Sequence, residues 1–176
     1  MQIKLRKLKI LKQEKIIKLD NPSDLLGKLR TRSPAGFAIA LHVHFTTPRY
    51  LLQSYSKEWI DFYSAGGLVM QDPTVHWAFA NNGAMRWSDL SDADSGGVLS
   101  SAAGFGMNFG VVIALDDGGS KTMASFARKD REMCELDIAG LSQDLRALHN
   151  RTIGSMSLAP DIHETLKQMS IFLTHG

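Results

Sequence analysis

The spacing of apolar residues changes period several times along this chain, and each change marks an element. Phe37 to Phe45 has the extended pattern of a strand. Thr46 to Arg49, with Pro48, turns the chain into a second extended run from Tyr50 to Tyr55, and so short a connection predicts antiparallel neighbours. Further on, VVIAL and TMASFA flank the Gly-rich turn DDGGSK, the clearest hairpin in the sequence. From Arg128 to Arg151 the pattern is that of an amphipathic helix, with Met133, Leu136, Ile138, Leu141, Leu145 and Leu148 as its apolar positions.

Shorter helices fill the intervals. Asn21 and Pro22 open one through Leu29, with Asn21 or Ser23 available as its cap. Ser56 stands where an N-cap belongs for a helix through Ser64, which sets Trp59 and Tyr63 four residues apart on one face. Gly66 and Gly67 end that helix, and Asp72 with Pro73 starts the next, to about Ala80. Asn82 and Gly83 predict a turn before a short strand carrying Trp87, and the Ser, Asp and Gly cluster from Ser88 to Gly97 reads as a loop with a weak helix after it. The alternation lacks the order of a dinucleotide-binding fold. It predicts an α+β chain, an antiparallel sheet with helices on both faces.

Length and composition narrow this to one ordinary globular domain. A chain of 176 residues with 44% hydrophobic and 22% charged residues buries roughly 70% of its unfolded surface, enough for a core that contains a cavity. No apolar run approaches the roughly 18 residues of a membrane span, and the N-terminus is too charged for a secretory signal, so a cytoplasmic location is expected. Cys134 is the lone cysteine. One chain therefore holds neither a disulfide framework nor a cysteine zinc site, and the thiol is expected to be a small buried hydrophobe on a helix.

Charge is distributed unevenly. Residues 1–32 hold ten Lys or Arg against three acids, a balance of +7, whereas the remainder has ten bases and fifteen acids, a balance of −5. Lys4, Arg6, Lys7, Lys9, Lys12, Lys15 and Lys18 would suit a nucleic-acid or phospholipid arm. They are interleaved with Ile3, Leu5, Leu8, Ile10, Leu11, Ile16, Ile17 and Leu19, however, which favours an element with one buried side and one solvated basic face.

Candidate chemistry concentrates between Tyr55 and Trp87, where Tyr55, Trp59, Tyr63, Trp77 and Trp87 surround the single pair Asp72 and Pro73. Aromatic rings make broad apolar walls with a polar tip, and one acid fixes the polar end of a small ligand. The same residues also fit ordinary core aromatics beside an Asp that caps a helix. Catalysis is not expected: the glycines of GFGMNFG precede a strand and do not match a phosphate loop, and no GxSxG or HExxH motif occurs. His42 and His44 in LHVHF are expected on one sheet face, but a lone HxH is more often a satisfied or solvated pair than half of a metal site. No cofactor and no metal are expected.

The string SYSKEWIDFYSAGGLVMQDPTVHWAFANNGAMRW resembles the LuxR-type autoinducer-binding domain, the sensor half of bacterial quorum-sensing regulators that bind N-acyl-homoserine lactones. GFGMNFGVVIAL and TMASFARKD look like the last two strands of that family, with Gly110 and Ser125 at a usual glycine and a usual small hydroxyl. The resemblance implies an α-β-α sandwich. It also implies that Asp72 accepts the ligand amide N–H, that the Trp59 indole donates to the lactone carbonyl, and that Tyr55 and Ser125 hydrogen-bond the acyl carbonyl. Tyr63 and Trp87 would line the pocket, and Trp77 would pack nearby as core. An ionised acceptor and a donor-only indole suit those tasks.

Departures from the family pattern fall on the part of the pocket for the acyl tail. Leu68 stands where an aromatic residue is common, after Gly66 and Gly67, and the stretch between Trp87 and Gly110 is short, with Gly96 and Gly97 disfavouring a robust helix. Chain length, oxidation state and even the lactone itself are left open. Residues 1–155 are read as the sensor domain and residues 156–176 as a helical tail, in which Leu158, Ala159 and Pro160 faintly resemble the opening of a helix-turn-helix domain. A recognition helix would have to follow, so the chain alone is not expected to read DNA sequence. Two functions follow: a small-molecule sensor acting as a homodimer or with a full-length regulator, or a ligand-free module that dimerises with and modulates such a regulator.

Overall fold

A computed structural model describes residues 22–153; the basic N-terminal element and the C-terminal tail expected from the sequence lie outside the described residues. Five strands form one antiparallel sheet in the order β2-β1-β5-β4-β3: β1 (Gly36–Val43), β2 (Tyr50–Gln53), β3 (Gly83–Arg86), β4 (Phe109–Asp117) and β5 (Ser120–Arg128). The expected pairing of β1 with β2 is present, with Ala38 opposite Gln53 and Ala40 opposite Leu51. So is the hairpin, from Phe109 opposite Arg128 to Asp117 opposite Ser120.

Because side chains alternate across a strand, each strand divides its residues between two faces. One face carries the large ones. Phe37, Ile39, Leu41, Tyr50, Leu52, Val111, Ile113, Leu115 and Phe126 form a core with α1 (Pro22–Arg32) and α5 (Glu135–Thr152), which contribute Leu25, Leu26, Leu29, Leu141, Leu145 and Leu148. On the other face lie α2 (Lys57–Ala65), α3 (Pro73–Ala80) and α4 (Val98–Gly104), packed in two smaller clusters around Trp59 and Trp87 and around Ala78 and Leu90. Helices thus cover both faces of the sheet, the α+β sandwich that the sequence predicted.

Several local expectations change. Trp87 does not belong to the short strand, which ends at Arg86; it opens a 3-10 helix, Trp87–Ala93, inside the stretch read as a loop. The last helix begins at Glu135, not near Arg128, because Arg128 is still paired in β5 and the Asp137 carboxylate accepts the Cys134 N–H at 2.9 Å to cap the helix there. Cys134 is consequently exposed at the N-cap instead of buried on a helix, and Leu136, 82% exposed, faces solvent. Met133 remains in the core although it precedes the helix.

His42 and His44 do not share a face. The register shifts between Ala40 and Val43, and His42 adopts a left-handed conformation with φ of 53°, which breaks the alternation. His42 turns to the α5 side, where its Nδ1 lies 2.7 Å from Ser120 Oγ, its Nε2 2.7 Å from Thr152 Oγ1, and its ring 4.7 Å from that of His149. His44 is exposed and stacks edge-on with Phe45. Among the described residues no group of His, Cys, Asp or Glu has the arrangement of a metal site, and no helix is long and apolar enough to cross a membrane.

Candidate ligand-binding site

The second face of the sheet differs from the first in the size of its residues, and that difference makes room for a cavity. Three successive rows of this face can be followed from the strand register. The first joins Gly36, Ala127 and Gly110; the second Gln53, Ala38, Ser125 and Val112; the third Leu51, Ala40, Met123 and Ala114. Apart from Gln53, Val112, Leu51 and Met123, these positions hold alanine, glycine or serine, whereas the other face carries Phe, Ile and Leu. The space left over encloses about 280 Å³, near the small end of ligand pockets.

The glycines of the first row seat two of the aromatic walls. A Cβ on Gly110 would fall on the Cδ2–Cε2 fusion bond of the Trp87 indole, and one on Gly36, whose φ is 112°, would approach Tyr55 Cδ1 at 2.6 Å. Both rings lie against the sheet because no side chain stands beneath them. Trp87 then reaches the second row, where its Nε1–H donates to Ser125 Oγ at 3.0 Å. The Tyr55 hydroxyl donates to the Ser125 backbone carbonyl at 3.0 Å. Burial raises the Tyr55 pKa, opposed in part by its contact with Ser125, so the phenol stays neutral.

The facing wall comes from α2 and α3. Ser56 caps α2 by accepting the Trp59 N–H, and the helix period then sets Trp59 and Tyr63 on one side, with ring centroids 5.5 Å apart. Trp59 is buried among Trp87, Val98, Ala102, Met107 and Ala127, and its indole N–H has no hydrogen-bond partner among the described residues. At the start of α3, Asp72 caps the helix, as one of the two readings of the sequence expected, and also stands in the cavity wall. Its Oδ1 caps the helix by accepting the Thr74 N–H at 2.8 Å and the Thr74 hydroxyl at 2.7 Å; its Oδ2 accepts the Tyr63 hydroxyl at 2.8 Å, and the residue borders the cavity. Burial raises the Tyr63 pKa, and the Asp72 charge and hydrogen bond raise it further, which keeps that phenol a donor.

All six residues singled out from the sequence, Tyr55, Trp59, Tyr63, Asp72, Trp87 and Ser125, line this one cavity. Trp77 packs instead against the Ala78 and Leu90 cluster, as expected of a core residue. Val69 borders the cavity, whereas Leu68 is directed into the Trp59 cluster. Sequence reasoning missed Thr74, Gln53 and the small residues Ala38 and Ala40. Only the register of β1 with β2 and β5 places Ala38 and Ala40 over the cavity, and no local motif marks them.

Polar and apolar groups both border the cavity. Trp59, Trp87 and Tyr55 pack at the first two rows, Leu51, Ala40 and Met123 make the third row apolar, Ala78, Val75 and Phe79 add apolar surface from α3, and Thr46 and Thr74 add hydroxyls. Such a cavity suits an amphiphile with a polar head and an aliphatic tail.

The sequence matches the family profile of the autoinducer binding domain over residues 36–162. Among curated proteins no sequence matches. The fold resembles the solution structure of residues 1–171 of SdiA from Escherichia coli, with a TM-score of 0.58 and 18% identity over 86% of this chain and 96% of that one. It also resembles CepR2 of Burkholderia cenocepacia, described as an N-acylhomoserine-lactone-dependent LuxR-family transcription factor, with a TM-score of 0.57 and 16% identity over 73% of this chain and 78% of that one. A third similar structure is SdiA in complex with octanoyl-rac-glycerol, with a TM-score of 0.55 and 15% identity over 99% of this chain and 69% of that one. With the cavity on the small-residue face of the sheet and the profile spanning most of the chain, this protein belongs to the autoinducer-binding domain family, the sensor module of LuxR-type quorum-sensing regulators.

Proposed function

We propose that this chain is a non-enzymatic sensor that binds an N-acyl-homoserine lactone, or an amphiphile with the same polarity, in the cavity between the sheet and α2 and α3. The observation that carries the reading is the hydrogen-bonding capacity left unused at the cavity wall. Trp59 offers an indole N–H without a partner among the described residues, the Ser125 hydroxyl accepts from Trp87 and has a proton that it can turn to a ligand, and the Asp72 carboxylate has acceptor capacity beyond its bonds to Thr74 and Tyr63. An N-acylated lactone presents the complement: a lactone carbonyl for Trp59, an amide N–H for Asp72, and an acyl carbonyl for Ser125.

In this arrangement Tyr55 is a positioning group more than a donor to the ligand, since its proton is directed to the Ser125 backbone. Tyr63 orients Asp72 by occupying one lone pair of its Oδ2. The acyl tail extends over Ala40 and between Leu51, Met123 and Phe79, where burial of each methylene contributes about 0.8 kcal/mol. The octanoyl-glycerol complex of the SdiA neighbour supports acyl glycerols as a second ligand class, because a glycerol head supplies hydroxyls to the same donors and acceptors. Expression in the presence of mixed acyl-homoserine lactones, followed by mass spectrometry of the purified protein, tests the reading. A lactone retained in near-equal amount to the protein is expected; a protein that retains none and binds none in titration overturns it.

A further inference from the structure

We propose that Gln53 reads a polar substituent on the acyl chain of the ligand, adjacent to the carbonyl held at Ser125; the inference rests on the lactone reading above. Gln53 ends the edge strand β2 and lines the cavity. The register places it in the same row as Ser125, with Ala38 between them. Two strand spacings separate the backbones of Gln53 and Ser125, roughly 10 Å. Ala38 contributes only a methyl group to that interval, and the Tyr55 hydroxyl occupies its Ser125 end, so Gln53 is the polar side chain that borders the cavity from the β2 side.

The Gln53 amide makes no hydrogen bond to any described residue, although it is half-buried and its neighbours in the third row are apolar. An unpaired amide at the border of an apolar cavity is hydrated while the cavity is open. When an aliphatic tail displaces that water, the amide loses its partners unless the ligand replaces them. A keto or hydroxyl group on the third carbon of the acyl chain lies two bonds from the carbonyl carbon, on the side of the tail. It would meet Gln53 after the carbonyl is bound at Ser125. Because the amide both donates and accepts, it pairs with either group, whereas a plain methylene leaves it unsatisfied.

The consequence is selectivity for substituted acyl chains, of about threefold to tenfold in affinity for one neutral hydrogen bond. Calorimetric titration of the protein with N-octanoyl-, N-(3-oxooctanoyl)- and N-(3-hydroxyoctanoyl)-homoserine lactone tests this, together with Gln53→Met, which keeps the side-chain length and removes the amide. The wild type is expected to prefer one or both substituted lactones by that factor, and Gln53→Met to lose the preference while binding the octanoyl form at least as well. Equal affinities in the wild type overturn the proposal without recourse to any variant. A preference that survives in Gln53→Met, or in Gln53→Leu should the first variant not fold, overturns it as well. In both cases the lactone reading stands; wild-type protein that binds none of the three lactones instead removes the lactone reading and the role of Gln53 with it.

Discussion

Replacing Asp72 with Asn separates the two tasks of this residue. The carboxylate holds α3 through Thr74, accepts from Tyr63 with its other oxygen, and belongs to the cavity lining. Asn is as good an N-cap as Asp, so an amide oxygen directed at Thr74 preserves the cap, and the stability lost is confined to the Tyr63 hydrogen bond, about 1 to 3 kcal/mol. The cavity side then presents an NH2 group, which cannot accept from the ligand amide or from Tyr63. Loss of a hydrogen bond to a charged acceptor costs about 1.5 to 3 kcal/mol, or roughly tenfold to a hundredfold in affinity. Thermal denaturation and calorimetry with a lactone on the same preparations measure the two effects separately. A large fall in melting temperature with unchanged affinity would show that Asp72 serves only the helix, and the assignment of the ligand amide to it would be wrong.

Ser125→Ala removes the acceptor of the Trp87 indole and the donor proposed for the acyl carbonyl, and lactone affinity measured by calorimetry should fall about tenfold. Gly110→Ala places a methyl group on the Trp87 ring and 2.8 Å from the Phe126 carbonyl, so urea denaturation should reveal a loss of about 1 to 3 kcal/mol together with altered Trp fluorescence. Stability should also fall with acid. Burial, then the neighbouring His149 and Arg49, lower the His42 pKa from 6.5 to about 4; His149 is lowered as well, by burial and Arg146 against the opposing pull of Asp117 and Asp116. Between those values the unfolded chain binds a proton that folded His42 refuses, whereas above pH 6.5 neither state does. His42 alone should therefore remove about 2 kcal/mol between pH 7.5 and pH 5, measured by urea denaturation at each pH, and His42→Gln should flatten that dependence.

The elements that were legible in the sequence are those whose signal is local. Ser56 and Asp72 announce their helices because a side-chain acceptor one position before a helix satisfies N–H groups that the helix leaves unpaired. The hairpin of β4 and β5 is equally local, a pair of apolar runs around two glycines with positive φ, Gly118 and Gly119. Where long-range packing decides, the same reasoning fails. Nothing near His42 in sequence reveals that Ser120, Thr122 and Thr152, 78 to 110 residues away, draw its ring and backbone to the α5 side. Likewise the apolar pattern that included Met133 could not tell a buried loop residue from a helical one, and the start of α5 was fixed by the Asp137 cap.

The candidate site shows the same division at a finer scale. Tyr55, Trp59, Tyr63, Asp72 and Trp87 stand out because aromatic and acidic side chains have recognisable chemistry, and all of them border the cavity. The cavity itself is made by residues with almost no chemistry of their own. Ala38 and Ala40 make space and Gly110 seats the Trp87 ring through their position on one face of the sheet, and the face is known only once the pairing of β1 with β2 and β5, and of β4 with β5, is known. A one-residue slip in β1 would bring Phe37, Ile39 and Leu41 to the cavity side and fill it. The register that buries those three side chains against α1 and α5 is therefore also what keeps the opposite face small, so the core on one side of the sheet and the ligand space on the other are set by the same pairing.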